Sequence, residues 1–321
     1  MSETSLTIPD LKERFLAPEG WTTAEISIKE TGHHIHYGYG SPIRKDPKGV
    51  IILLQGLQEF TEKYYETAQF FITQGFAVVL FDWHYQGRSG RLKSNPHKRH
   101  SDGFDKDVTD LKTLIDNCIK PLYPDLPLYA LSHSTGGNIA LRYMIEYPDD
   151  FKAAGFSAPL MGINGLHLIP DFIMIGLLTV LKPFHKFYVP FGKNWEETAR
   201  KSDGTDKFSS DPFRDAITNK WYLADPSLQG GAPTLGWLYH AYKSMAFLKK
   251  TYHLGKIKTP CFFALAGHDT IVHSQAVRDI IPALPATTSF ILMEGCKHEI
   301  LHELDPFRDA LLYGFLKKIE W

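Results

Sequence analysis

One serine of this sequence stands in a setting that could make its hydroxyl a nucleophile. Ser134 lies within residues 132–136, between a short apolar run at residues 128–131 and a segment with helical spacing. A serine on a sharp turn from a strand into a helix projects its hydroxyl above the sheet, where the helix N-terminus favours developing negative charge. The competing interpretation is an ordinary serine that caps a helix. The pattern predicts a nucleophile if suitable partners exist elsewhere in the chain.

Two residues farther along the chain have the types that such a serine needs. A serine hydroxyl is a weak nucleophile at neutral pH, so it requires a general base that a carboxylate in turn orients. Asp269 follows an apolar run at residues 261–266, and His298 follows another at residues 289–293. The alternative interpretation of Asp269 is a solvated loop acid or a helix cap. We predict that Ser134, Asp269 and His298 form a catalytic triad, in the chain order serine, acid, histidine.

Other residues near this pair compete for the same roles. His268 and His302 are the alternatives to His298. His268 adjoins the predicted acid on the same loop, which is a poor geometry for an acid–base pair, and His302 would fall one turn into the following segment. Glu299 and Glu303 are expected to be surface or helix-cap charges. His298 is preferred because it is the first histidine after the last predicted strand.

Acyl transfer also needs hydrogen-bond donors for the oxyanion that forms on the carbonyl group. One expected donor is the backbone N–H of Thr135, which directly follows the candidate nucleophile. The other is the backbone N–H of Leu57, in a loop where Gly56 lets the backbone approach closely. We therefore predict an oxyanion hole made by these two backbone groups.

The elements that must position these residues alternate between strand and helix. The first two strands read as an antiparallel hairpin, and the later apolar strands are separated by helical segments. This order predicts an α/β protein with a mostly parallel sheet of about eight strands and helices on both faces. The carboxyl ends of such strands meet at one edge, where ligands bind. The predicted strands are residues 21–29, 33–39, 50–54, 77–81, 128–131, 153–157, 261–266 and 289–293, and the predicted helices are residues 62–73, 105–119, 138–147, 274–281 and 305–318.

Three histidines, His33, His34 and His36, fall in the second strand of the hairpin. Histidines can bind metal ions, but alternating histidines on a strand usually lie on the solvated face. We therefore expect these side chains to face solvent and predict no metal site.

A long interruption without strand signal separates the sixth predicted strand from the seventh. Residues 160–244 are rich in aromatic residues, proline and glycine. We predict that they form an inserted helical cap over a core made of residues 1–159 and 245–321. Apolar residues with interspersed lysines at residues 169–191 would suit an acyl pocket or a transient contact with a membrane surface. The alternative is a cap that packs on the core and has no membrane role.

Composition restricts the class of protein. The 321 residues include 35 basic and 36 acidic residues, a balance that does not favour nucleic acid as a partner. Three widely spaced cysteines form neither a disulfide framework nor a metal-ligand cluster, and the N-terminus lacks the features of a signal peptide. The longest apolar run, residues 172–181, is about half the length that spans a bilayer. A soluble, cytoplasmic protein is expected.

The chain resembles the serine-dependent α/β-hydrolases, specifically the monoacylglycerol lipases and lysophospholipase L2-like proteins of the serine aminopeptidase S33 type. In the cap, the sequence GGAPTLGW at residues 230–237 is similar to a run of the lysophospholipase L2-like branch. The blocks that carry the resemblance in the core are the oxyanion block at residues 55–64, the stretch at residues 81–91, the elbow at residues 133–137 and the histidine loop at residues 295–299.

The sequence departs from the pattern of these families at three places. Gln55 stands where histidine is usual, Ser132 where glycine is usual, and His84-Tyr85 where Arg-Gly is usual. The first two affect the loops near the oxyanion hole and the elbow, and none removes a predicted catalytic group.

The resemblance implies a serine hydrolase that cleaves a carboxylic ester of a lysophospholipid or monoacylglycerol through an acyl-enzyme on Ser134. The implied partner is a small-molecule acyl ester, and no cofactor or metal is implied. A peptidase of the proline-iminopeptidase type is one alternative, and it would need an acidic pocket for which Glu196, Glu197 and Asp203 are candidates. A ligand-binding protein of the same fold without catalysis is the other.

Overall fold

A single sheet with helices on both faces organises the protein. The computed structural model describes residues 11–43 and 45–320; residues 1–10, where a signal peptide is not expected, Arg44 and Trp321 lie outside the described part. Within the described part the sheet has eight strands in the order β1-β2-β4-β3-β5-β6-β7-β8. The strands are β1 (Thr22–Ile28), β2 (His33–Gly40), β3 (Val50–Leu54), β4 (Ala77–Phe81), β5 (Leu128–His133), β6 (Phe151–Ser157), β7 (Cys261–Ala266) and β8 (Ser289–Met293).

The pairing of these strands confirms the predicted mostly parallel sheet. β1 pairs with β2, and β2 with β4, in antiparallel fashion, whereas all the other neighbours are parallel. The helices are α1 (Tyr65–Thr73), α2 (Phe104–Leu114), α3 (Lys120–Leu122), α4 (Thr135–Glu146), α5 (Asp171–Val180), α6 (Pro212–Ala224), α7 (Leu235–Leu248), α8 (Thr251–Leu254), α9 (Ser274–Arg278) and α10 (Asp305–Ile319). The helix predicted at residues 105–119 is observed as α2 followed by one π-helical turn.

Two apolar cores lie on opposite faces of the sheet. The central strands are apolar along their whole length because helices cover both faces, so both sets of alternating side chains are buried. Ile52 packs in one core together with Ile139 of α4. Ile51, on the other face, packs in the second core together with Phe315 of α10. Helices α4 and α10 thus lie on opposite faces of the sheet.

The segment between β6 and β7 contains helices and contributes no strand to the sheet, in which β6 and β7 are neighbours. α5, α6 and α7 lie in this segment, and α5 packs on α7. α7 also contacts α2 and α4 of the sheet-bearing part. The predicted division into a core and a cap remains a prediction, and its boundary at residues 244–245 falls inside α7. No helix of the described residues is long and apolar enough to cross a bilayer.

The expectation that the hairpin histidines face solvent is wrong for His33 and His36, which are buried, although His34 is part-exposed. The physical reason lies in the position of β2, which is an inner strand between β1 and β4. α2 packs near this end of the sheet, and its Asp110 carboxylate lies 2.5 Å from His33 Nδ1. A partner of opposite charge therefore makes burial of this histidine tolerable.

Candidate active site

Ser134 occupies the turn between β5 and α4 in a conformation that few non-glycine residues adopt. Its φ and ψ are 50° and −115°. Backbone conformations of this kind cost about 1–3 kcal/mol, so the surrounding structure must hold them. The Ser134 N–H donates to Ser157 O over 3.0 Å, and the Leu160 N–H donates to Ser134 O over 2.9 Å. The end of β6 and the residues after it therefore fix the turn from both sides.

The residues around this serine explain why the turn can be so tight. A Cβ atom on Gly136 would overlap the carbonyl oxygens of Leu54 and Gln55, so only glycine lets α4 approach the end of β3 so closely. Ser132 replaces the glycine that is usual two residues before the nucleophile, and its hydroxyl donates to Gly155 O over 3.0 Å. The replacement is accommodated because β6 supplies an acceptor for the buried hydroxyl.

The structure brings the three residues of the predicted triad into one chain of contacts. His298 Nε2 lies 3.1 Å from Ser134 Oγ, and His298 Nδ1 lies 2.7 Å from Asp269 Oδ2. The second oxygen of the Asp269 carboxylate accepts the backbone N–H groups of Ile271 and Val272 over 2.8 and 2.9 Å. These contacts fix the carboxylate, which in turn fixes the ring of the histidine.

The charge state of Asp269 suits this arrangement. Burial by itself would raise the pKa of Asp269, but the adjacent His298 and the two backbone donors outweigh it and lower the pKa below its ordinary value. The carboxylate is therefore ionised at neutral pH and accepts the Nδ1–H of His298. That bond leaves Nε2 of a neutral imidazole free to accept the hydroxyl proton of Ser134.

The two predicted oxyanion donors lie beside the same cavity as Ser134. Thr135 is the first residue of α4, and the first N–H groups of a helix have no partner within it. Leu57 lies in the loop after β3, and both residues line the cavity that Ser134 and His298 also line.

The competing histidines lie elsewhere. His302 is buried with its Nε2 3.0 Å from Lys63 O, and burial followed by the nearby Lys63 ammonium lowers the pKa of His302 to about 4. His268 is exposed on the loop that precedes Asp269.

A buried ionic network behind the triad was missed in the sequence. Lys63 Nζ lies 2.8 Å from a carboxylate oxygen of Glu59 and 2.8 Å from one of Glu299. Arg200, from the predicted cap, pairs with Glu299 and with Asp215 at 3.0 Å. The expectation that Glu299 and Glu303 are surface or cap charges is wrong, because both are buried. The spacing of Glu59 and Lys63, four residues apart, is the one local signal for this network.

Glu59 connects the ionic network to the loop after β3 and to the residue before Ser134. Its carboxylate accepts the Gly56 N–H over 2.5 Å, and His133 Nδ1 lies 3.0 Å from the same oxygen. His133 Nε2 lies 3.3 Å from the backbone oxygen of His298. Burial would lower the pKa of His133, but Glu59 beside it raises the pKa above its ordinary value. One carboxylate thus holds the loop of the expected oxyanion donor and the residue before Ser134.

One group of side chains has the spacing of a metal site. Ligand atoms of Glu59, Glu299 and His302 lie within 4.8 Å of one another. The Lys63 ammonium, however, contacts both carboxylates at 2.8 Å and already supplies the positive charge that they require. We assign this group to the ionic network and not to a metal ion.

An apolar cavity of about 560 Å³ opens next to Ser134. Its wall is contributed by the loops at the sheet edge and by the segment between β6 and β7. A long apolar group can therefore lie in this cavity with a carbonyl carbon next to the serine hydroxyl. The apolar side chains of its wall include Leu160, Leu166, Val189, Phe191, Trp237 and Leu238.

Cys296, two residues before His298, packs in the interior and does not line this cavity. Its side chain is fully buried in the core on the α10 face of the sheet. Burial also raises the pKa of the Cys296 thiol, so the residue is a neutral packing group.

Comparison with known proteins shows what the chain as a whole is similar to. The profile of the family described as serine aminopeptidase, S33, matches residues 45–305. The probable lysophospholipase L2 of Haemophilus influenzae is 29% identical over 272 residues, which cover 85% of this chain and 82% of that protein. Lysophospholipase L2 of Escherichia coli K12 is 26% identical over 83% of this chain and 79% of its own length.

The fold is shared with solved structures at low sequence identity. A soluble variant of monoglyceride lipase from Saccharomyces cerevisiae, in complex with a substrate analogue, superposes with a TM-score of 0.71. It is 17% identical and covers 93% of this chain and 94% of its own chain. This likeness shows the α/β-hydrolase fold.

Proposed function

Because the chain belongs to the serine aminopeptidase S33 family, we propose that it is a serine hydrolase that cleaves carboxylic esters of lysophospholipids or monoacylglycerols. The observation that carries this proposal is the chain of contacts from Ser134 through His298 to Asp269, beside an apolar cavity. The relatives named lysophospholipase L2, which match most of the chain, support the choice of lipid substrate.

The first half of the proposed reaction forms an acyl-enzyme. Ser134 Oγ attacks the acyl carbonyl carbon while His298 Nε2 takes the hydroxyl proton. The negative charge that develops on the carbonyl oxygen is held by the N–H groups of Leu57 and Thr135. The tetrahedral intermediate then collapses, and His298 returns the proton to the oxygen of the leaving alcohol. Asp269 stabilises the imidazolium between these two transfers.

The second half releases the fatty acid. Water attacks the acyl-enzyme while His298 takes one of its protons, and the same oxyanion donors hold the new intermediate. Collapse breaks the bond to Ser134 Oγ, which recovers its proton from His298. No group beyond the chain and water takes part in this scheme.

The surroundings of Ser134 favour an ester over a peptide with a free amino terminus. A peptidase would need unpaired carboxylates in the cavity, but Glu196, Glu197 and Asp203 do not line it. The two glutamates that do line it, Glu59 and Glu299, are neutralised by Lys63 and by other cations. The other alternative, binding without catalysis, gives no role to the strained turn at Ser134 or to the contact of His298 with the Ser134 hydroxyl.

Fatty-acid release tests this function. Native protein and the Ser134→Ala variant are compared on a lysophospholipid, a monoacylglycerol and a short-chain ester. Turnover of a long-chain substrate that is lost in the variant is the expected result. Activity on the short ester alone would contradict the lipid assignment. Absence of turnover, together with failure of a phosphonate to label Ser134, would favour the binding protein.

We further propose that the segment around α5 makes transient contact with a lipid surface. It exposes large apolar side chains, among them Leu168 (82%), Phe172 (75%), Val180 (77%) and Phe191 (105%), next to lysines. An exposed apolar set of this size on one segment is unusual for a protein surface that meets water alone. The cytoplasmic location remains a prediction.

Sedimentation with anionic phospholipid vesicles tests the lipid contact. Phe172→Ser combined with Val180→Ser should reduce the vesicle-bound fraction severalfold. Tyr252→Ser, which removes an exposed aromatic ring outside the segment, is the matched control. Equal binding of all variants would contradict the assignment of the surface.

A further inference from the structure

A second cavity adjoins the apolar one, and its wall is charged. It has a volume of about 380 Å³, compared with about 560 Å³ for the cavity of Ser134. The two share part of their walls, including Leu57 and Phe208 and the charged Lys207. A substrate held at Ser134 can therefore extend from one cavity into the other.

Four cations and two acids line the second cavity, but two of the cations are committed to ion pairs. The acids are Glu59 and Glu299. Lys63 contacts both, and Arg200 pairs with Glu299 and with an aspartate of α6. Lys63 and Arg200 are thereby held by the buried carboxylates, and the other two cations of the wall lie outside this network.

Those two cations, Lys193 and Lys207, are exposed at the cavity wall. Lys193 pairs with Glu196, but both partners are more than half exposed, and such pairs contribute little. Among the described residues the Lys207 ammonium forms no ion pair, and it lies 5.2 Å from the centre of the Phe208 ring. Within the described part of the chain, the Lys207 ammonium thus has no ion-pair partner at the junction of the two cavities, while the neighbouring Asp206 carboxylate accepts the backbone N–H of Lys207 over 2.6 Å.

We infer that the second cavity is the subsite for the phosphate of a lysophospholipid head group, with Lys207 as the principal binding residue and Lys193 beside it. This inference rests on the proposed function. In a lysophospholipid the short glycerol backbone connects the scissile ester to the phosphate, so an acyl chain in the apolar cavity directs the phosphate past Ser134. Lysine binds phosphate as a point charge. A monoacylglycerol offers no anion to this subsite, so the subsite discriminates between the two substrate classes.

The kinetic test uses a lysophosphatidylcholine and a monoacylglycerol with the same acyl chain, both below their micelle concentrations. Lys207→Gln should lower the ratio of the two kcat/KM values about tenfold, chiefly through KM for the lysophospholipid, because one charge-assisted contact is lost. Lys207→Arg, which keeps the charge, should retain most of the ratio. Lys201→Gln removes a charge from the same loop outside both cavities and should leave the ratio unchanged.

An unchanged ratio of the two kcat/KM values in Lys207→Gln, or an equal fall of that ratio in Lys201→Gln, would overturn the assignment.

Calorimetry in the Ser134→Ala background separates this inference from the proposed function, with lysophosphatidylcholine and inorganic phosphate as the probes. If Lys207→Gln weakens binding of the lysophospholipid about tenfold, the result supports the subsite. Failure of the native protein to release fatty acid would then refute the proposed function and leave the subsite standing. Hydrolysis of monoacylglycerol without any lysophospholipid binding would uphold the function and refute the subsite. Binding of inorganic phosphate without the lysophospholipid would indicate a free-anion site and would also refute it.

Discussion

Two buried histidine–aspartate pairs in this molecule have the same chemistry but different surroundings. His298 Nδ1 lies 2.7 Å from Asp269, and His33 Nδ1 lies 2.5 Å from Asp110. Both histidine side chains are almost completely buried. In the first pair the other ring nitrogen contacts Ser134 at a cavity. In the second, it lies 3.4 Å from a second carboxylate, that of Asp102.

The surroundings determine what each pair can do. The ring of His33 stacks on His84 at 4.1 Å and joins β2 to α2. Burial would lower the pKa of His33, but Asp102 and Asp110 together raise it to about 9. His33 is therefore a cation at neutral pH, so it cannot accept a proton and serves to hold two elements together. A histidine–aspartate pair becomes a catalytic candidate when its second nitrogen faces a hydroxyl and open space.

The largest effect should follow from removing the hydroxyl beside His298. Ser134→Ala is expected to reduce fatty-acid release by about 10⁴-fold or more, because a buried base without a nucleophile cannot form the acyl-enzyme. Its thermal unfolding midpoint should stay within a few degrees of the native value. Residual turnover of a tenth of the native rate would contradict the assigned role.

Replacing Asp269 or Asp110 by asparagine tests the difference between the two histidine–aspartate pairs most directly. Asp269→Asn should lower kcat by about 10³–10⁴-fold with little loss of stability, because the amide no longer fixes the tautomer and charge of His298. Asp110→Asn should leave the kcat of folded molecules close to native. It should lower the free energy of unfolding by about 3 kcal/mol, at the lower end for a broken buried pair, because the buried His33 cation loses one of its two carboxylate partners and keeps Asp102. Kinetics and urea unfolding of both variants, compared side by side, provide the test; a similar loss of kcat in both would remove the distinction.

The stability that the His33 pair contributes should also depend on pH. The pKa of His33 is raised from 6.5 to about 9 on folding, so its contribution to stability is complete below pH 6.5 and is lost as the pH rises through about 9. The loss amounts to at most about 3 kcal/mol. His84, stacked on it, has its pKa lowered to about 4, chiefly by burial and then by His33, and stays neutral over this range. Urea unfolding at a series of pH values should show that the free energy of unfolding of the native protein falls as the pH rises from 6.5 to about 9. The His33→Gln variant should show a flatter dependence. The same dependence on pH in both proteins would refute the role given to His33.

The smallest effect is expected at the elbow. Ser132→Gly removes a buried hydroxyl that donates to Gly155 O, and it also frees the backbone of the unfolded chain. We expect a loss of about 1 kcal/mol in the free energy of unfolding and a change in kcat of less than about threefold. Thermal unfolding and kinetics measure both quantities. A large fall in kcat with unchanged stability would indicate that Ser132 positions the nucleophile.

Local patterns made most of the fold predictable. Apolar runs separated by helical spacing placed the six later strands, of which the central ones are buried on both faces, and alternation of apolar and polar residues placed the two strands of the hairpin. The turn from β5 into α4 was also predictable, since few arrangements other than a sharp turn fit a small-residue stretch between strand and helix. The proximity of Ser134, Asp269 and His298 was expected because all three follow the carboxyl ends of parallel strands.

Residues whose neighbours lie far away in the chain could not be placed in this way. A histidine on a strand or a glutamate after a loop is expected at the surface on average, and His33 and Glu299 are buried because Asp110 and Arg200 compensate their charges. The sequence by itself determined the order of the strands along the chain, the helices and the residue types at the sheet edge, since these follow from short-range periodicity and turn chemistry. Which histidine faces a hydroxyl and which is enclosed between carboxylates was decided by the tertiary structure alone, because burial and charge compensation depend on residues brought together from distant parts of the chain.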